Sequence, residues 1–171
     1  VSTPPSAAPS AAPSVKPSQQ PQETAAPEIS QKPAALVFTW PVNGAIIASF
    51  SVETLLYDET MLDWRTHEGI DLAAEEGTRV LAVAAGTVSQ VYEDDLMGVT
   101  VVIDHGDGLE SVYSNLAQAP DVAEGDSVYT GDIIGVVGNT APAESGRAAH
   151  LHFAMYRDGE PVDPEEYLPD Y

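Results

Sequence analysis

The sequence predicts a mainly β domain, an antiparallel sandwich or half-barrel with long loops, carried behind a Pro/Ala/Ser-rich segment. Short β-branched runs are separated by glycine-containing turns that recur every 8 to 15 residues. No stretch sustains a 3.6-residue apolar period over 11 or more residues. The composition also changes near residue 35. Residues 1–35 hold 8 of the 14 prolines, 8 alanines, 6 serines and no aromatic residue. Such a segment buries too little surface to offset its chain entropy, so a disordered linker or stalk is expected there. At ~3 Å per residue it spans up to roughly 100 Å. That suits a spacer through a cell envelope or a plain inter-domain linker. Residues 36–171 have the size of one domain with its own core.

The elements follow in order. Ala45 to Phe50 is a strand after the turn at Val42-Asn43-Gly44. Arg79 to Val83 and Gly86 to Tyr92 are β-branched and end at acidic turns. Val99 to Asp104 is the clearest strand and runs through the turn His105-Gly106-Asp107-Gly108 into Glu110 to Leu116. Ser127 to Tyr129, Ile133 to Val137 and His150 to Tyr156 complete the set. Two segments break the pattern and are read as long loops of functional interest, Ser51 to Thr66 and Asn139 to Ala149. No internal repeat is visible.

Charge excludes several classes of partner. Residues 36–171 carry four arginines, no lysine and 25 acids, so the whole net charge of -21 falls there. Nucleic acid and anionic membranes both require basic surface, so neither is a partner. A protein partner that reads charge is basic. There are no cysteines, hence no disulfide and no thiolate chemistry. No apolar run reaches the ~18 residues of a membrane span. The chain begins with valine and is read as a mature or trimmed piece whose anchor or signal has been removed.

The four histidines are His67, His105, His150 and His152. Alternate strand residues share a face, so His150 and His152 project together while Leu151 and Phe153 point to the core. His67 and Asp71 form a His-x-x-x-Asp motif. Two histidines and an aspartate fill three positions of a zinc tetrahedron and leave the fourth for water. Spacing alone leaves open a second reading, in which the pair lies on a half-exposed sheet face without a metal. Trp64 and Tyr57 either wall a substrate cleft or pack their own loop, and Arg147 is a candidate to meet a substrate carboxylate.

The flanking motifs go further. They are Trp40-Pro41-Val42-Asn43-Gly44, His67-x-Gly69-Ile70-Asp71-Leu72, Gly77-Thr78-x-Val80-x-Ala82 with Gly86-x-Val88, and Val102 to Gly108. Gly125-Asp126-x-Val128-x-x-Gly131, Gly135-x-x-Gly138-Asn139-Thr140 and His150-Leu151-His152-Phe153 complete the series. In this order they resemble the LytM/lysostaphin-type zinc endopeptidase domain, which cuts peptide cross-links in peptidoglycan and is related to barrel-sandwich hybrid folds. Asp63 to His67, and Asn139-Thr140-Ala141 with Glu144, resemble the narrower SpoIIQ-like branch. In that branch an anchored domain outside the cytoplasm joins a partner protein in the opposite membrane.

The resemblance implies that His67, Asp71 and His152 ligate Zn2+ and that His150 is the general base for zinc-activated water. It implies an extracytoplasmic location. Tyr113, Arg147 and Trp64 are candidate substrate-side residues. His105 belongs to a turn and is not expected to be a ligand. Two positions depart from the family. Active members carry Tyr-x-His-Leu where this chain has Tyr113-Ser114-Asn115-Leu116, so Asn115 is a degenerate catalytic position. Asparagine donates a hydrogen bond but carries no proton. Ala154 stands where many members have glutamate. Two functions follow: a zinc endopeptidase acting on peptidoglycan peptides, or a zinc-holding module that docks an envelope protein. The segment Val122 to Ile134 also resembles biotinyl and lipoyl carriers, but those need a lysine that this domain lacks.

Overall fold

The computed structural model describes residues 36–58 and 60–170. The expected stalk, residues 1–35, lies outside the described residues. The strands are β1 Ile46–Ala48, β2 Ser51–Asp58, β3 Asp63–His67, β4 Gly69–Ala73, β5 Arg79–Leu81 and β6 Gly86–Asp94. They continue as β7 Gly98–Asp104, β8 Leu109–Leu116, β9 Ser127–Val128, β10 Ile133–Val136, β11 His150–Arg157 and β12 Glu160–Val162. Helical content among the described residues is limited to two 3-10 turns, Pro142–Glu144 and Pro164–Glu166. The mainly β, antiparallel expectation therefore holds.

The principal sheet runs β1-β4-β11-β8-β7-β6-β9, with β12 also paired to β11. Two ribbons complete the fold, β5 with β10 and β2 with β3. The core is filled from one face of the principal sheet by Ile70, Leu72, Ile103, Tyr113, Leu151 and Phe153. Val80 and Ile134, from the β5–β10 ribbon, join the same core. Strand β7 is buried at six of its seven positions, which explains why Val99 to Asp104 reads so clearly as a continuous apolar strand.

One expectation is overturned. Ser51 to Thr66 is not a loop but the hairpin β2–β3. Its turn is set by Asp58, whose Oδ1 accepts from the backbone N–H groups of Thr60 (2.9 Å) and Met61 (2.8 Å). The strand signal was hidden because Leu55, Leu56 and Tyr57 run consecutively and all three are exposed, so no inward–outward alternation exists. Strand β4, which carries Asp71, was not separated from its flanks either. The segment 139–149 is irregular as expected, with the Pro142–Glu144 turn inside it.

Candidate metal centre

The centre is built on the antiparallel ladder between β4 and β11. The register sets His152 opposite Asp71, Phe153 opposite Ile70 and Leu151 opposite Leu72. Directly opposed residues share a face, so His152 and Asp71 meet on one side while four apolar side chains enter the core on the other. Gly69 leaves room for this ladder, because a Cβ there would stand 2.5 Å from the Phe153 carbonyl oxygen. His67 ends β3, two residues before β4 begins. Its Nδ1 faces the Ser49 carbonyl at 2.9 Å, which turns Nε2 toward the centre.

Four side chains converge there: His67, Asp71, Glu144 and His152. His67 Nε2 lies 3.3 Å from His152 Nδ1 and 3.2 Å from Asp71 Oδ1. His152 Nδ1 is 2.9 Å from Asp71 Oδ1 and 3.4 Å from Glu144 Oε1. Ligands ~2.0 Å from a tetrahedral zinc stand ~3.3 Å from one another, so these separations and the N2O2 donor set fit the ion. Asp71 is fully buried. Burial pushes its carboxyl up, but the bonds from His152 and His67 outweigh that and hold it well below the usual carboxylate range. Burial pulls His67 down, but Asp71 more than reverses this and raises it above an ordinary histidine.

His150 sits beside this group with both ring nitrogens engaged. Nδ1 faces the Ala148 carbonyl at 2.7 Å and Nε2 bonds Glu144 Oε2. Both ring nitrogens therefore face oxygen acceptors. Burial lowers the pKa of His150, and the bonds to Glu144 and Ala148 raise it further than burial lowers it.

The other residues singled out in the sequence have the following surroundings. The Arg147 guanidinium is spent on carboxylates of the chain itself, Asp71 Oδ2 and, at 3.2 Å, Asp58 Oδ2. It orients Asp71 rather than standing free for a substrate. Tyr113 is wholly buried and its hydroxyl accepts from the Val83 N–H at 2.9 Å, so it packs the core instead of reaching a substrate. Trp64 is exposed on the hairpin, edge-on to Tyr57 with centroids 5.6 Å apart. Asn115 has φ 63° and a fully engaged amide: Nδ2 donates to the His150 carbonyl (3.0 Å), and Oδ1 accepts from Thr140 N (3.0 Å) and Ala141 N (3.1 Å). His105 bridges Ala85 O (2.9 Å) and the Ser111 hydroxyl (2.7 Å) in its turn.

A cleft of about 220 Å³ opens over the centre, lined by His67, His152, Glu144, Arg147 and Tyr156 among others. A groove of about 650 Å³ beside it, between β1, the hairpin and residues 146–148, reaches the centre only through Asp71 and Arg147. The smaller cleft is the one that matters chemically, because it contains the imidazoles. Two side chains at or beside the centre, Glu144 and Asp58, escaped sequence reasoning as site residues. Glu144 had a signal: it is the one acid between Thr140 and Ala149, in a turn begun by Pro142 six residues before His150.

Residues 65–164 match Peptidase family M23. The DD-carboxypeptidase/endopeptidase Mpg of Neisseria meningitidis serogroup B is 41% identical over 103 residues, 59% of this chain and 22% of Mpg. Stage II sporulation protein Q of Bacillus subtilis is 29% identical over 150 residues, 86% of this chain and 51% of that protein. The chain thus spans between about a fifth and a half of these relatives' lengths. The solved SpoIIQ–SpoIIIAH pore-forming complex contains a similar fold, with TM-score 0.67 and 27% identity, covering 79% of this chain and 92% of that one.

Proposed function

The chain belongs to peptidase family M23, and we propose that it is a zinc-holding module that docks a protein partner outside the cytoplasm rather than an effective hydrolase. The observation that carries this reading is Asn115. Where active family members place a second histidine, this chain has an amide whose oxygen takes two backbone N–H groups and whose nitrogen serves the His150 carbonyl. It holds the strand carrying His150 to the 138–141 loop and carries no proton. His67, Asp71 and His152 would hold the metal. Bound zinc in this family polarises an amide carbonyl and lowers the pKa of water toward ~7. The base that this chemistry requires is His150, and its Nε2 is occupied by Glu144. Loss of one acid–base or oxyanion group costs ~100-fold or more in rate.

Docking is supported by the surface. The hairpin exposes Leu55, Leu56, Tyr57, Leu62 and Trp64, apolar side chains spread over both faces of the ribbon, on a domain whose charge is strongly negative. A partner with basic residues around an apolar contact complements it. SpoIIQ, similar over most of this chain, is solved in complex with SpoIIIAH, and a pairing of the same general plan is proposed here. Among the described residues no helix is long and apolar enough to cross a membrane.

The second reading is a zinc endopeptidase acting on peptidoglycan peptides. It is favoured by the gathering of His67, Asp71 and His152, with His150 on the same face of β11 as His152, and by the similarity to Mpg. Digestion of purified peptidoglycan by the zinc-loaded protein, read by mass spectrometry, decides between them. The docking reading expects no new fragments. Fragments that vanish with His150→Ala would establish the endopeptidase and identify its bond.

A further inference from the structure

Glu144 is a buried acid at the end of a fastened turn. Thr140 N and Ala141 N are held by Asn115, Ala143 N bonds Leu96 O at 3.0 Å, and Arg147 N bonds the Glu144 carbonyl at 3.0 Å. The side chain is therefore delivered from a backbone tied down on both sides, not from a free arm. Its two oxygens are divided: Oε2 bonds His150 and Oε1 lies 3.4 Å from His152 Nδ1. That second separation is close to the ~3.3 Å between neighbouring ligands of a tetrahedral zinc.

We propose that Glu144 is the fourth protein donor of the centre, completing His67, Asp71 and His152, so that the chain itself fills the position a hydrolytic centre leaves to water. The inference rests on the zinc-holding part of the reading above and goes further. Structural zinc sites have four protein ligands, whereas catalytic ones have three and an open place. With Glu144 in that place the centre becomes a structural clamp between β4, β11 and the 138–149 loop. Were Glu144 only the ion-pair partner of His150, the centre would keep three donors and an open position.

Zinc affinity, measured by competition with a chromophoric chelator, and the visible spectrum of the cobalt-substituted protein separate these cases without any assay of activity. Wild type is expected to bind one ion, with a cobalt spectrum that azide leaves unchanged. Glu144→Ala is expected to bind zinc about 10- to 100-fold more weakly, with a cobalt spectrum that azide shifts. If that substitution lowers the melting midpoint of the metal-free protein, Glu144→Gln, which keeps the shape, takes its place and is expected to weaken zinc in the same direction. Equal affinity in wild type and the folded variant, or an azide response in wild type, would overturn the fourth-donor assignment. Absence of zinc binding by wild type would overturn the metal-centre reading beneath it.

Discussion

The β4–β11 ladder and the β2–β3 hairpin are neighbours with opposite characters. On the ladder, Asp71, His150 and His152 are buried, and each is held by a cross-strand partner, a backbone carbonyl or a carboxylate. On the hairpin, Leu55 is 54% exposed, Leu62 72% and Trp64 66%. The hairpin pairs only with itself and is tied to the rest by few polar contacts, chiefly His67 at its base and Asp58 to Arg147. Arg147 joins the regions, since its other bond goes to Asp71. The ladder thus spends its side chains on internal geometry, while the hairpin leaves its apolar surface to solvent. A rigid polar centre and an uncovered apolar ribbon are what a docking module with a metal clamp requires.

The largest expected effect is at the ladder. Asp71→Ala removes the buried carboxylate shared by two histidines and Arg147, breaking all three of these pairs at once. Stability of the metal-free protein should fall by about 3–5 kcal/mol in urea unfolding, and zinc should no longer copurify. A loss below ~1 kcal/mol would mean that the ladder is not the rigid half of the comparison. Asn115→Ala comes next. It deletes three hydrogen bonds to backbone groups and should cost about 2–3 kcal/mol. If Asn115 were instead a spare catalytic position, the unfolding midpoint would hardly move. Trp64→Ser should have the smallest effect, within ~0.5 kcal/mol, because the ring is mostly exposed and packs on Tyr57 alone among the aromatic contacts described. A marked loss there would show that the hairpin surface is already used within the domain.

The same two regions explain what the sequence made legible. Strand β11 was readable because alternation separates His150 and His152 from Leu151 and Phe153, and burial on both faces leaves the pattern intact. The mainly β class was readable from the turn spacing. The hairpin was not, because an exposed two-stranded ribbon has no core face to impose period two, and its turn depends on one Asp58 side chain. The convergence of His67 with Asp71 and His152 was expected from family resemblance, whereas the part played by Glu144 depends on how a short turn brings it back over β11. The partners of Arg147 were hidden for a related reason. Its sequence neighbours gave no sign of Asp58 and Asp71, 89 and 76 residues away.

The contrast between clamp and ribbon is tested most directly by hydrogen exchange, followed by mass spectrometry, with and without zinc. Binding to the folded state alone adds stability that slows every amide exchanging through global unfolding. Zinc should therefore slow exchange along β4 and β11 and leave the outer part of β2, opened by local fluctuation, nearly unchanged. Unaltered exchange in β4 and β11 at saturating zinc, or equal protection of β2, would contradict the account.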